Sequence, residues 1–343
     1  MGKHVGGKLV LAGAVAAGAA VWAIKPRSFS DKQRHFVPSV PDVWYAHRGL
    51  HDAGSGLTPE YAAHSGEYVA LARRCALRAG YGTADFSGSI APENSLAAFA
   101  AACEAGFGIE LDVQLTKDGR VVVVHDDNLL RVAGDPRKIA DLTYEELSRI
   151  PLFPAPAKPG DAEAAPVADP VAAAQFAPQG YYQHVPLFVD VLRVIAGRVP
   201  VIVEYKFTDN AAWGERADEL MEKGDQLLQA YDGPYVIESF HPGAVNWYKE
   251  HRPEVCRGQL IEPLPLGQTD VTYWAAGRLL FNWLSRPDFV ACDWRSGGSP
   301  QVRLNRALGA VPVSWTVRSR DEVAECDAWF DHHIFESFVP DEH

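Results

Sequence analysis

Little in this chain suits nucleic acid, zinc or a dinucleotide. Lys and Arg number 32 against 44 Asp and Glu, a formal net charge of −12. That balance argues against nucleic acid as a partner and gives no general attraction to an anionic membrane surface. Five cysteines (Cys75, Cys103, Cys256, Cys292, Cys326) are scattered without a CxxC pair or a Cys/His cluster. A disulfide framework and a zinc site are therefore not expected. No GxGxxG and no P-loop occurs, which removes the usual marks of a nucleotide fold. A hydrophobic fraction of 47% supplies ample core, and 343 residues suit a single α/β barrel.

The N-terminal apolar run, Leu9 to Ile24, is flanked by Lys3 and Lys8 on one side and Lys25 and Arg27 on the other. It falls short of the ~20 residues of a full membrane span. Lacking a polar face, residues 1–30 read as a signal-anchor or secretory signal, with a buried helix as the remaining option. Small residues near Ala16 to Ala20 would permit cleavage. The flanking charges are equal and do not set an orientation. Insertion with the N-terminus inside is the default, which makes the protein membrane-anchored or secreted with its main domain, residues 42–343, outside the cytoplasm.

Along the main domain, Asp42–Ala46 reads as a buried strand leading into His47-Arg48-Gly49. Residues 50–91 form an insertion or lid, helical over Pro59–Ala79 and Gly/Ser-rich at its ends; such lengths usually have a function. Asn94 or Ser95 caps a helix over Leu96–Ala105, closed by Gly106. Thr143 opens a capping box before the helix Tyr144–Ile150. Residues 151–183 are Pro/Ala-rich and read as a surface excursion. Further helices fall at Pro186–Ile195, Trp213–Ala230, Gly243–His251, Val271–Leu284, Gln301–Leu308 and Arg320–Trp329. Parallel strands begin near residues 42, 108, 199, 235, 257, 289, 312 and 333. Eight parallel strands alternating with helices predict a (β/α)8 TIM barrel. An open doubly wound sheet is the alternative.

The chemistry gathers around Gly108 to Asp127, GIELDVQLTKDGRVVVVHDD. Glu110 and Asp112 are two apart on a strand and share a face. Asp118-Gly119 signals a two-residue type I′ hairpin. With that loop Lys117 faces Arg120, Asp112 lies opposite His125, and the return strand runs antiparallel. Barrel sites are built from residues at the C-terminal strand ends. There the sequence offers His47-Arg48, Glu110, Asp112, Glu204, Lys206, Glu238-Ser239, Asp293, Trp315-Thr316 and Glu336. Three carboxylates from two adjacent strands (Glu110, Asp112, Glu204) require a cation, and all-oxygen donors suit Mg²⁺ or Ca²⁺. His47 and His125 flank them as a general acid and base. Arg48 and Lys206 add fixed positive charge. This set suits an anionic oxygen ester, most naturally a phosphodiester. Plainer readings exist: Glu204 and Lys206 could pair with each other, Trp315 suits the core as well as a substrate platform, and His51, His64 and His332-His333 read as solvated.

Seven short motifs in order, AHRG (46–49), APEN (91–94), ELDV (110–113), VVVHD (122–126), VEYK (203–206), SF (239–240) and WTV (315–317), resemble the signature of the glycerophosphodiester phosphodiesterases. The resemblance runs from about residue 42 to the C-terminus. It implies metal-dependent hydrolysis of glycerophosphodiesters to glycerol 3-phosphate and an alcohol on a TIM barrel. By similarity, His47 and His125 are the acid/base pair and Glu110, Asp112 and Glu204 hold the metal. Arg48 and Lys206 contact phosphate, and Glu93 and Asn94 shape the site. It also implies that the neighbouring glycerol hydroxyl can attack first through a cyclic intermediate. There are three departures. Residues 50–91 separate the first His motif from PEN, Arg318 follows WTV where members often carry Asn, and IFESF stands where many have a Thr-Asp-like ending. Rival readings are a phospholipase D-like or lyase activity on intact phospholipids, and a membrane-tethered binding protein without turnover. Nothing in the motifs sets the head group or the oligomeric state.

Overall fold

The computed structural model describes residues 18–29, 40–153, 182–207, 213–265, 267–269 and 271–341. Eleven strands occur among them: β1 (Tyr45–Ala46), β2 (Gly108–Leu115), β3 (Val121–Val123), β4 (Asn128–Leu129), β5 (Asp135–Lys138), β6 (Val201–Tyr205), β7 (Tyr235–Ser239), β8 (Arg257–Ile261), β9 (Phe289–Asp293), β10 (Val311–Val317) and β11 (His332–Phe335). The main sheet has the order β1-β11-β10-β9-β8-β7-β6-β2-β3, and β1 also pairs with β2. Setting β3 aside, eight strands close on themselves as a (β/α)8 barrel. Each starts within three residues of the position expected from sequence. β3 pairs antiparallel to β2, as its short connection requires. Helical spacing misplaced one element: Val271–Leu284 is two helices, Val271–Ala276 and Asn282–Ser285, separated where Leu279 takes a left-handed φ of 62°.

By packing, the chain divides into two compact units. The first comprises residues 41–237, 316–325 and 332–343. In it β2 pairs in parallel with β1 and with β6, placing Asp112 beside Glu204. Every β2 residue is buried, which accounts for its apolar Ile109, Leu111 and Val113 alternating with Glu110, Asp112 and Gln114. Helix α1 (Ala62–Arg78) lies in the insertion and packs on helix α2 (Leu96–Ala105). α2 begins where Ser95 Oγ accepts from Ala98 N–H and ends at left-handed Gly106, as its capping residues predict. Thr143 forms the expected capping box with Glu146. A satellite core of Val122, Leu129, Val132, Leu142, Leu147 and Val185 backs the hairpin.

The second unit comprises residues 1–40, 238–315 and 326–331. Its described N-terminal residues are pinned by buried polar contacts. Arg27 is buried and pairs with Asp288, whose carboxylate also accepts from the Arg257 backbone N–H at 3.1 Å. Asn305 donates to the Ile24 carbonyl at 2.7 Å. The buried charges of Arg27 and Asp288 thus pair with each other, as buried charges need. Trp22 and Trp283 stack at 5.7 Å and remain half exposed. No helix among the described residues is long and apolar enough to cross a membrane. Residues 1–17, and residues 154–181 of the Pro/Ala-rich stretch, lie outside the described residues. All five cysteines are unbridged, as their spacing implies.

Candidate active site

The site lies in the first unit, where β2 and β6 place three carboxylates together. One ligand atom each from Glu110, Asp112 and Glu204 falls within a 4.8 Å group, and all three residues are buried. At separations within 4.8 Å each pair of charges repels by at least about 3 kcal/mol at an effective dielectric of about 20. Two basic residues offset part of this. Lys206 Nζ is 2.8 Å from Glu204 and 3.4 Å from Asp112. Arg48 donates its backbone N–H to Glu110 at 3.0 Å and sets its guanidinium 3.6 Å from Asp112. Asn94 Nδ2 donates to Asp112 Oδ2 at 2.8 Å. Asp112 Oδ1 accepts no hydrogen bond although buried, an atom whose desolvation a bound cation would offset. Arg48 and Asn94 both take left-handed backbone, φ 56° and 54°. Such strain costs about 1–2 kcal/mol for residues other than glycine, Asn and Asp suffering least, and it collects at functional sites.

His125 arrives by a different route from the one its sequence suggests. The hairpin register pairs Val113 with Val123 and Leu115 with Val121, one residue away from the expected pairing of Asp112 with His125. Thr116 N–H bonds to the Arg120 carbonyl, and Gly119 N–H returns to Thr116 O. The loop is therefore three residues, Lys117 to Gly119, with Gly119 at φ 69°, the alternative turn in which glycine takes the left-handed position. The Val124 N–H meets the Asp112 carbonyl at 2.9 Å, after which the chain leaves the ladder. The segment carrying His125 is held by Gln114, whose side-chain Nε2 donates to the Val124, His125 and Asp126 carbonyls at 2.9 to 3.0 Å. His125 Nδ1 is 2.6 Å from Asp126. Arg131 clamps this acid at 2.8 Å and reaches Glu93 at 2.6 Å. A cavity of about 390 Å³ opens here, lined by His125, Asp126, Asn128, Lys206 and Phe207.

His47 sits beside the triad, with Nε2 4.0 Å from Glu110. Its Nδ1 is 2.8 Å from Glu336, a fully buried carboxylate that also accepts from Arg318 Nε at 2.6 Å and Ser55 Oγ at 3.0 Å. Arg318 and Glu336 are two positions where the sequence departs from the resembled signature, and they pair with each other. The insertion supplies Ser55 and also His51. His51 is buried, not solvated as expected, and its Nε2 is 3.6 Å from Glu336. A Cβ on Gly56 would collide with the Glu336 carboxylate, and one on Gly54 would come within 2.6 Å of Glu93, so the Gly-rich loop is shaped by close approach. His333 is likewise buried, stacked on Trp44 at 4.8 Å. His64 is partly buried, with Nε2 2.9 Å from the Arg318 carbonyl.

Burial and charge together set the protonation pattern. Burial pushes the His47 pKa down to about 4, against the opposing pull of Glu336. It also lowers His125, with Asp112 opposing and Lys206 assisting. Burial pushes Glu204 up to about 7, with Lys206 opposing. For Asp112 burial is outweighed by Lys206, His125 and Arg48, which hold it well below the usual carboxylate range. Glu93 is held at about 2, because Arg48 and Arg131 outweigh its burial. Counting ion pairs, six carboxylates (Glu93, Glu110, Asp112, Asp126, Glu204, Glu336) face four fixed cations (Arg48, Arg131, Lys206, Arg318). Fully ionised, the cluster carries two surplus negative charges, which a divalent cation would balance.

Nine of the residues singled out from sequence therefore share one site: His47, Arg48, Glu93, Asn94, Glu110, Asp112, His125, Glu204 and Lys206. Trp315 belongs to the second unit, where it packs edge-on to Phe240 at 5.7 Å. Sequence reasoning missed Arg131, Ser55 and the role of Asp126. The only available signal was Asp126 directly following His125.

Over residues 86–335 the chain matches the glycerophosphoryl diester phosphodiesterase family. The chain belongs to this family. A glycerophosphodiester phosphodiesterase of Bacillus altitudinis is 30% identical over 48% of this chain and 59% of its own length. Glycerophosphodiester phosphodiesterase 1 of Bos taurus is 21% identical over 73% of this chain and 74% of its own. The match thus spans about three fifths of the length of the Bacillus altitudinis relative. Among solved structures, a phosphodiesterase from Oleispira antarctica in complex with the product sn-glycerol-3-phosphate superposes with a TM-score of 0.56. It is 18% identical, and the match covers 86% of this chain and 93% of that one. The glycerophosphodiester phosphodiesterase of Thermotoga maritima gives 0.51 at 19% identity, over 87% and 95%. At these identities the structures speak to the barrel fold alone.

Proposed function

We propose that this family member hydrolyses glycerophosphodiesters to glycerol 3-phosphate and an alcohol, with His47 and His125 as its acid/base pair and a divalent metal at Glu110, Asp112 and Glu204. The observation that carries the reading is the buried acidic triad with His47 beside Glu110 and His125 interacting with Asp112. Each imidazole has its Nδ1 against a carboxylate, Glu336 at 2.8 Å and Asp126 at 2.6 Å. A proton kept on Nδ1 leaves each Nε2 free to exchange a proton with substrate. Three oxygen donors with surplus negative charge fit Mg²⁺ or Ca²⁺. Such an ion, when bound, would neutralise the triad and stabilise negative charge developing on the phosphodiester.

The chain's own residues supply the remaining steps. His47, the less exposed imidazole, takes the proton of the attacking hydroxyl, whether of water or of the adjacent glycerol carbon. His125, at the open cavity, acts from its imidazolium form: protonated on Nε2 from solvent before each turnover, it delivers that proton to the leaving alkoxide and returns to the Nδ1–H form. Lys206 and Arg48 lower the negative potential that would otherwise repel the phosphodiester. The test is hydrolysis of glycerophosphocholine with and without EDTA, alongside His47→Ala and His125→Ala. Each variant should lose about 10²–10⁴-fold in kcat. Full activity in either variant would sink the mechanism. A cyclic phosphate as final product would move the assignment to a lyase, and tight binding without turnover to a binding protein.

We also propose that the N-terminal segment meets a membrane surface, with the main domain outside the cytoplasm. The apolar run from Leu9 to Ile24 supports this, as does the half-exposed Trp22–Trp283 stack beside Arg286, a residue pair suited to a membrane–water boundary. Co-sedimentation of the full chain with phospholipid vesicles, lost on Trp22→Ala with Trp283→Ala, is the expected result.

A further inference from the structure

Glu336 has entered the proposed reaction only as the neighbour of His47 Nδ1, yet it is fully buried. A buried carboxylate is costly unless each oxygen is well partnered. Its two oxygens divide their partners. Oε1 takes Arg318 Nε at 2.6 Å. Oε2 takes His47 Nδ1 at 2.8 Å and Ser55 Oγ at 3.0 Å. His51 Nε2 stands 3.6 Å from Oε2, too far for a hydrogen bond. These groups come from four separate parts of the chain: the loop after β1, the insertion, the end of β10 and the end of β11. Arg318 is itself braced, with its backbone N–H on Glu322 at 2.6 Å and its guanidinium over the Tyr61 ring at 5.9 Å. Tyr61, from the insertion, donates to the same Glu322 at 2.9 Å. The insertion therefore closes on Glu336 and Arg318 rather than lying clear of the site.

We propose that Glu336 is the positioning residue for His47: it holds the imidazole proton on Nδ1 and aims Nε2 at the acidic triad, while Arg318 and the insertion's Ser55 fix the carboxylate. The geometry excludes a simpler role as a charge sink for Arg318 alone, because one oxygen is reserved for His47 and Ser55. In turnover the O–H bond of the attacking hydroxyl breaks and its proton goes to Nε2. The resulting imidazolium carries its charge beside Glu336, and the proton leaves Nε2 with product, restoring the Nδ1–H form. An outer carboxylate of this kind is worth about 10–100-fold.

This inference rests on the hydrolase reading for its kinetic arm only. The first measurement is ¹⁵N NMR of the histidine ring nitrogens in the full chain, with His47 assigned from His47→Ala. The wild type should show the Nδ1–H tautomer. Glu336→Ala should move it toward Nε2–H, and Glu336→Gln, whose amide oxygen can still accept, should keep Nδ1–H. An unchanged tautomer in Glu336→Ala overturns the proposal whether or not the protein turns over. The second is steady-state glycerophosphocholine hydrolysis at saturating Mg²⁺ or Ca²⁺. Glu336→Ala should lower kcat about 10–100-fold with KM nearly unchanged, and Glu336→Gln should recover most of it. Wild-type kcat in Glu336→Ala would overturn the proposal. An inactive wild type would fault the hydrolase reading and leave the tautomer result to decide. Should Glu336→Ala fail to fold, Ser55→Ala with Arg318→Met releases the same carboxylate, and retained kcat and tautomer there are equally fatal.

Discussion

Asn94 donates one hydrogen bond of 2.8 Å to Asp112, and does so from a left-handed backbone at φ 54°. Asparagine is one of the few side chains that tolerates that conformation and still offers an amide donor. Asn94→Ala should lose a hydrogen bond to a charged group, about 1.5–3 kcal/mol, and add backbone strain. The expected result is a lower thermal midpoint together with weaker divalent-metal binding. Asn94→Gly separates the two effects, because it relieves the strain without restoring the donor. If Asn94→Gly bound metal as tightly as wild type, the hydrogen bond would not matter to the triad.

Arg131 joins the two halves of the site through Asp126 and Glu93. Removing it should free Asp126 to drift from His125 Nδ1, while Glu93 keeps Arg48 at 2.9 Å. Arg131→Ala is therefore expected to fold and to lose about 10–100-fold in kcat, the usual effect of an outer partner. Circular dichroism and steady-state hydrolysis check both halves. Activity within twofold of wild type would show that His125 is oriented by Gln114 and its backbone alone.

The pH dependence of stability follows from opposing shifts. His47 has its folded pKa lowered from 6.5 to about 4. Its unfolded form binds the extra proton, so stability falls as pH drops from about 6.5 to 4. Glu204 is raised from 4.5 to about 7, so its folded form binds the extra proton and stability rises as pH drops from about 7 to 4.5. Each proton contributes a slope of about 1.4 kcal/mol per pH unit, so Glu204 offsets His47 across 4.5–6.5, while His125, also lowered by burial, adds to the loss on the His47 side. Below 4.5 Glu93, lowered to about 2, joins them. The thermal midpoint of metal-free protein should therefore fall as pH drops below about 6.5, and Glu204→Gln, which removes the opposing proton uptake, should fall more steeply. Equal slopes in the two proteins would contradict the offset.

Calcium or magnesium should raise the thermal midpoint, since a ligand that binds only the folded state adds about 2.7 kcal/mol at 100 times its Kd. Glu110→Gln, which leaves Lys206 with both of its partners, should abolish that rise. An equal rise in Glu110→Gln would place the ion elsewhere.

The barrel was legible because strand and helix alternate with little ambiguity, and burial on both sides makes β2 and β6 near-continuous apolar runs. The triad was legible for the same reason: a carboxylate inside such a run has no comfortable structural role. The hairpin register was not. Asp118-Gly119 suits either turn, and the choice lies in Thr116, whose hydroxyl donates to Asp118 at 2.6 Å and accepts from Arg120 N–H at 2.9 Å. Nor was the Glu336 hub, since Ser55 and Glu336 are 281 residues apart and no periodicity links them. His51 read as solvated because its Gly/Ser-rich surroundings resemble a loop, and its burial comes from Tyr68 and the rest of the insertion.

The two ends of the insertion meet at Asp52. This carboxylate accepts from Ser89 Oγ, from the Ile90 and Ala91 N–H groups and from Arg73, while Asp52 N–H bonds to the Ala91 carbonyl at 2.8 Å. The exposed tip at Ala84 and Asp85 lies inside that clasp. Breaking the backbone there would leave both new ends anchored within a few residues, so the chain should work as two separately made fragments that recombine. The same point is the natural place to open a circular permutant or to graft a foreign domain.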